Sequence, residues 1–238
     1  MTIINEVIST ITWDCNINKI VAGAHWTAVL SRHCGLSSTF HDPPPHRMVR
    51  DAGDLLQKTA RELAQYAMSD AQLEASIGMA ALNSLMEINT DKCLELNALN
   101  VLEEKGRGRA VAVVGHFPFI PKLKKTAKEL WVLELNPRDG DLSADEAENV
   151  LPRADVVCIT GTSFINHSVD DLLSLCGKNS FVMMVGATSP MSPVLFDYGV
   201  DLIAGASVAD KKEAVECISQ GASFKQIRGV KRLIMMRK

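Results

Sequence analysis

From Arg109 onward the chain alternates between short apolar runs and helix-sized polar segments, and few architectures tolerate that alternation. The runs are AVAVVG (110–115), LWVLEL (130–135), DVVCIT (155–160), FVMMVG (181–186) and VDLIAG (200–205). They are apolar throughout instead of alternating with polar residues, so both of their faces must be covered. A parallel sheet with helices on both sides does this, and the class is α/β. The segments between the runs carry helix starts: Pro118 after GHF, Ser143 with Glu146, Asn166 or Ser168 before VDDLLSL, and Ser207 before KKEAVECI. KRLIMMR near the end reads as one more strand, at an edge.

If the strands are co-directional, the segments that follow them emerge together at the carboxyl edge. These are GHFPFIP, NPRDGD, GTSFINHS, GATSPMSP and GAS. Gly, Ser, Thr and Asn at the head of a helix expose backbone N–H groups beside a positive dipole end. The same residues cap helices whether or not anything binds. Five such connectors, at the edge where this architecture binds, favour a ligand site. Neither G-x-G-x-x-G nor G-x-x-x-x-G-K-[ST] occurs and Gly115 stands alone, so NAD or ATP bound in the usual manner is disfavoured. Glu134 closes the second run about twenty residues beyond Gly115, where an acidic side chain can accept from ribose hydroxyls or simply end a solvated strand. Asn136, Asp139 and Asp141 add acceptors nearby or form the turn. His116 and His167 each follow a strand and can serve as acid or base near neutral pH, or cap a loop. Ser163, Ser189 and Cys34 occupy plausible loops, but no nucleophile elbow or Cys–His pairing can be read from their order.

The first third has a different character. KIVAGAHWTAVLS (19–31) holds two short β-prone runs around Gly23 and Ala24, and HCGLSSTFHDPPPH is dense in turn formers, with three prolines that forbid ladder or helix. SDAQLEASIGMAALNSLME predicts a helix opened by a Ser69/Gln72 capping box, with Leu73, Ile77 and Ala81 on one face. Gly78 in its middle costs about 1 kcal/mol against Ala, so another element must come close there. A second helix is expected over Asp91 to Glu104, stopped by KGRGR. His25, His33, Cys34, His41 and His46 are borderline or soft ligands, but their spacing matches no tight template and no structural metal is assigned to them. Lys122, Lys124, Lys125 and Lys128 read as a solvated helix face.

Composition narrows the partners. The 238 residues carry 25 Lys and Arg against 28 Asp and Glu, a net charge of −3, with no basic stripe for nucleic acid. No apolar run reaches the roughly 18 residues that span a bilayer, and no export signal opens the chain. Six scattered cysteines without a C-x-x-C fit reduced thiols, and the expected location is the cytoplasm. A homodimer is the expected state for a metabolic protein of this size.

The runs GMAALNS, AVAVVGHFPFIPKL, WVLELNPRDGDLSADEAENVLPRADVVCITGTSFINHSVDDLL and LFDYGVDLIAGASVAD resemble the putative heavy-metal chelation family over nearly the whole chain. The most specific part is LP-x-ADVV-x-ITGT-x-x-IN. The resemblance implies an enolase amino-terminal-like α+β domain over residues 1–102 and a Rossmann-like domain over 103–238, with a cleft between them. Its cleft residues, carried over by motif, are Gly115, Phe117, Pro118, Glu134, Pro137, Thr160, Gly161, Thr162, Asn166, Gly186, Thr188 and Pro190. The amino-terminal portion contributes Gly78, Asn83 and the region His25 to Gly35. What the resemblance implies for chemistry is a small polar or heteroaromatic metabolite of pterin-like, flavin-like or metal-chelating type, with Glu134 and His116 as catalytic candidates. The alternative is non-catalytic binding of a heavy-metal ion or metal complex; no cofactor is specified. This chain departs from the pattern in having Gly186-Ala187-Thr188 where Gly-Pro-Ser is expected, and Gly35-Leu36-Ser37 where Gly-Leu-Ala is usual. The loop HDPPPH is not a shared feature and is not taken as the chelating site.

Overall fold

The computed structural model describes residues 2–45, 47–88, 93–95 and 97–237. The carboxyl-terminal part forms a seven-stranded sheet in the order β10-β9-β8-β7-β4-β5-β6. Its strands are β4 (Ala110–Val114), β5 (Glu129–Glu134), β6 (Leu142–Ser143), β7 (Val156–Thr160), β8 (Phe181–Val185), β9 (Leu202–Val208) and β10 (Val230–Met236). All pairings are parallel except β9 with β10, which run antiparallel at one edge. All five predicted runs and the edge strand are present; the two-residue β6 was not anticipated.

The apolar runs are continuous because each face has its own cover. Ala112, Val157, Ile159, Val182 and Met184 join one hydrophobic cluster, and Val111, Val113, Val156, Cys158 and Met183 join another on the opposite face. Successive side chains of a strand point to opposite sides, so one run feeds two cores. Each such side chain contributes about 1.5–3 kcal/mol of burial, less for Ala.

The amino-terminal part contains α1 (Ile3–Ser9), a three-stranded antiparallel sheet β1 (Lys19–Ala22), β2 (Trp26–Leu30) and β3 (Cys34–Ser38), then α2 (Ala60–Ala64) and α3 (Gln72–Leu85). The β1–β2 hairpin is where the sequence places it. β3 is a correction, because CGLSS was read as a turn. Gly35 and Ser37 face α3, so closely that a Cβ on Gly35 would stand 2.1 Å from Ala80 O, while Cys34 and Leu36 pack toward Ala214 and Cys217. Both faces are buried and small residues sit between sheet and helix, so no polar alternation marks the strand.

Helix α3 is buried on nearly every side, from Glu74 to Leu82 and again at Ser84 and Leu85, a wider face than Leu73, Ile77 and Ala81 alone. Its expected capping box is absent: the N-cap is Ala71, and Ser69 Oγ donates to Glu74 Oε2 (2.6 Å) while accepting from Ala71 N. Asp42 Oδ2 accepts from Gln72 N instead (3.1 Å). The close approach predicted at Gly78 is real, since a Cβ there would lie 1.9 Å from Ala67 N.

Among the other helices, α4 covers Ala98–Gly106, while Asp91, the expected start, lies outside the described residues. Helix α5 (Ile120–Leu123) begins after Phe119 and not at Pro118, and α6 (Ala147–Val150) follows a turn whose N-cap is Ser143. Helices α7 (Val169–Leu175) and α8 (Val194–Asp197) follow, with Ser168 as N-cap of α7. Helix α9 (Lys211–Ser219) is capped by Asp210, whose side chain accepts from Glu213 N, whereas Ser207, the expected cap, belongs to β9. No helix among the described residues is long and apolar enough to cross a membrane.

Candidate functional site at the carboxyl edge of the sheet

In sheet order the chain runs outward from β4 through β5 to β6, then returns to the other side of β4 with β7 and continues to β10. Connections therefore diverge between β4 and β7, the point at which open α/β sheets bind ligands. Gly115 and Thr160 end these two strands. Gly115 has φ +104, and a Cβ on it would meet Thr160 Cβ at 3.0 Å. Its N–H donates to Leu133 O (2.9 Å), which brings Glu134 alongside.

Around this point the polar groups differ in how far they are engaged. Glu134 is half-buried, and its carboxylate makes no hydrogen bond or ion pair among the described residues. Thr160 and Thr162 pair through their hydroxyls at 3.0 Å, and Thr160 Oγ1 accepts from Thr162 N. His116 Nδ1 lies 3.1 Å from Asp141 Oδ2, which also accepts from Arg138 N (3.1 Å). The Asp141 side chain is 5% exposed, so this carboxylate is a fixed orienter of the ring. Phe117 stacks on Phe119 with centroids 4.8 Å apart, while Pro118 and Pro137 are exposed on the rim.

The remaining predicted residues fall into a neighbouring group and some outliers. Gly161 abuts Ser189, where a Cβ would be 2.5 Å from Oγ, and Gly186 (φ +127) approaches Gly161 N. Thr188 is 1% exposed and engaged: Oγ1 accepts from Ser38 N (2.9 Å) and donates to Ser38 Oγ (3.2 Å). Asn83 Nδ2 donates to Leu36 O and Thr188 O, so Gly35, Asn83, Thr188 and the buried Pro190 meet at the seam between β3, α3 and the β8 connector. A cavity of about 80 Å³ lies there, bordered among others by His33, Cys34, Asn83, Ser189 and Ser207.

Asn166 Oδ1 accepts from Ser168 N and Ser168 Oγ, and His167 (φ 59) holds Ala67 O through Nε2 at 2.9 Å. Gly78 packs on the backbone at Tyr66 and Ala67, next to that bridge. The side chain of His25 is exposed, and its carbonyl accepts from Thr39 N.

Ser38 is a part of this region that the sequence did not single out, and Ser207, expected there as a helix start, borders the cavity instead. Only the strand character of CGLSS, hidden by its small residues, would have drawn attention to Ser38. The thiol of Cys34 is pushed up to about 12, chiefly by burial. Among the described residues no group of three or more His, Cys, Asp or Glu side chains could hold one metal ion; His46 lies outside them.

Comparison with known proteins places this geometry in context. A family model described as putative heavy-metal chelation, DUF364, matches residues 97–237, and a second with the same description, DUF4213, matches residues 4–86. An uncharacterized protein of Methanocaldococcus jannaschii is 27% identical over 190 residues, which span 76% of this chain and 73% of that protein. The crystal structure of a DUF364 protein of unknown function from Desulfitobacterium hafniense DCB-2 superposes with a TM-score of 0.88 at 26% identity, covering 99% of this chain and 98% of the other. A DUF364 protein of unknown function from Pyrococcus horikoshii gives a TM-score of 0.82 at 18% identity with the same coverage, a likeness of fold alone.

Proposed function

The chain belongs to the putative heavy-metal chelation family, DUF364, and from that membership we propose that it binds a small polar or heteroaromatic metabolite in the cleft at the carboxyl edge of the seven-stranded sheet. The observation that carries this reading is the reversal of strand order between β4 and β7, with Gly115 and Thr160 in contact above it and the uncommitted carboxylate of Glu134 beside them. Glu134 accepts hydrogen bonds from the ligand, and the Thr160 to Asn166 connector supplies hydroxyl and backbone contacts. Phe117, Pro118 and Pro137 offer flat apolar walls to a ring. An ionised Asp141 can only accept, so it holds the proton of His116 on Nδ1 and leaves Nε2 as a base. The reading includes an amino-terminal unit over residues 1–102 as one wall of the cleft, a carboxyl-terminal unit over 103–238, a cytoplasmic location and a homodimer.

Native mass spectrometry of protein isolated without a tag tests the proposal. The expected result is a retained organic mass that Glu134→Gln or Asn166→Ala reduces while the melting temperature holds. An organic mass retained equally by both variants, or none at all, overturns it. A second reading, the holding of a heavy-metal ion or metal complex, is favoured by His33 and Cys34 side by side on the cavity wall. A complex that brings its own ligands suits this wall better than a bare ion, because among the described residues the wall offers one imidazole and one thiol. Metal found in place of an organic mass supports that reading.

A further inference from the structure

Asn83, near the end of α3, donates from Nδ2 to Leu36 O (2.9 Å) and Thr188 O (3.1 Å). Carbonyls only accept, so the orientation of the amide is fixed and Oδ1 is an acceptor turned away from them. That oxygen is buried and has no partner among the described residues, and neither has Ser189 Oγ. Ser189 is 2% exposed, and both residues border the cavity of about 80 Å³ at the seam of β3, α3 and the β8 connector. A buried oxygen left unpaired costs as much as a lost hydrogen bond, so two of them on residues that border one cavity call for a partner that donates.

The rest of the wall defines what that partner is. Leu36, Met86, Ala187 and Met191 are apolar, and among the described residues no Asp, Glu, Lys or Arg borders the cavity. A free ion finds no counter-charge among those residues, and the charge that acts on Cys34 is the cation Lys211, which opposes a second cation. We infer that the cavity is a subsite for a neutral group that carries N–H donors on a small apolar body, a primary amide or an amino-substituted ring. Asn83 Oδ1 is its acceptor and Ser189 Oγ its second partner. The inference rests on the metabolite reading above and names the chemistry of the edge that enters the seam.

Benzamide and acetophenone differ only in an amino group replaced by methyl, and titrating each into the ¹⁵N-labelled full chain tests the subsite. Benzamide is expected to shift the Asn83 side-chain amide and Ser189 backbone resonances, and to bind about tenfold more tightly than acetophenone. Ser189→Ala should weaken benzamide about fivefold and leave acetophenone unchanged. Asn83→Ala also loses the structural bonds to Leu36, Ala187 and Thr188, so the conclusion depends on Ser189→Ala. Equal binding of the two probes, binding of neither, or an unaltered benzamide affinity in Ser189→Ala overturns the subsite. Native mass spectrometry reads the metabolite proposal and this titration reads the cavity, so each can fail without the other.

Discussion

Glu74 is a carboxylate inside a protein, with a side chain only 2% exposed, and it survives there because every direction offers a donor. Ser69 Oγ, Arg50 N and Arg50 Nε all donate to it, tying the segments before α3 to its first turn. Burial pushes its pKa up, but the bonds from Ser69 and Arg50 outweigh that and hold it below the ordinary range. A lowered carboxylate stabilises the fold above its unfolded value of about 4.3 and loses that contribution as pH falls through the folded value. Glu74→Gln should therefore cost about 1–3 kcal/mol at pH 7 by urea titration. Its deficit against the wild type should shrink toward pH 3, and a constant deficit would contradict the argument. The thiols of Cys34, Cys158 and Cys176 are pushed the other way, each to about 12, chiefly by burial. Raised acids stabilise below their unfolded value of about 8.5 and lose that contribution as pH climbs toward the folded value. These three should resist iodoacetamide at pH 8 until the chain is unfolded, as peptide mass spectrometry will read, and stability should decline between about pH 8.5 and 12.

At the scale of elements, α3 decides how the amino-terminal part is built, and two glycines decide how closely it is approached. A Cβ on Gly78 would meet Ala67 N at 1.9 Å, and one on Gly35 would meet Ala80 O and Ser84 N at 2.1 and 2.2 Å. The obstacles are backbone atoms, which cannot rotate away as a side chain can. Each Gly→Ala change should cost about 3 kcal/mol or more, at or above the upper end of ordinary overpacking. Urea titration will check this, or loss of soluble protein where the cost is too great, against Gly108→Ala, whose site is sterically open though its φ is +69. Gly78 was legible in the sequence because a glycine in a helix needs a reason; Gly35 was not, because CGLSS lacks the β-branched residues and alternation that announce a strand. The runs of β4, β5, β7, β8 and β9 were legible for the opposite reason, since a strand covered on both faces must be apolar at every position. The connectors at their ends were recognisable as a group, but Thr188 and Asn166 were not recognisable as largely engaged. Nothing in TSP or INHS says that Thr188 bonds Ser38, 150 positions away, or that Asn166 turns its carbonyl to Ser168.

For the whole molecule the question is whether the proposed division near residue 102 is also a division of stability. A domain that folds alone has a core of its own. Here one hydrophobic cluster runs from Ile4, Val7, Leu63, Met79 and Leu82 of the amino-terminal part into Ala112, Ile159, Phe164, Met184 and Leu195 of the carboxyl-terminal part. Polar ties cross the same boundary, from Ile3 N to Asp170 Oδ1, from His167 Nε2 to Ala67 O and from Ser38 N to Thr188 Oγ1. Removing residues 1–102 would strip part of the cover from one face of the sheet and leave apolar side chains in water, each exposed Val, Leu or Met costing about 1.5–3 kcal/mol. The expectation is a single calorimetric transition for the full chain, with calorimetric and van't Hoff enthalpies equal. A fragment of residues 103–238 should aggregate or lack a cooperative melt, and α3 amides should exchange with solvent as slowly as those of β7. Two resolved transitions, or a soluble carboxyl-terminal fragment with a sharp melt, would mean that the shared cluster is a docking surface between independent cores. In that case the proposed cleft would open and close by movement of whole units, whereas a shared core confines such motion to the connectors at the sheet edge.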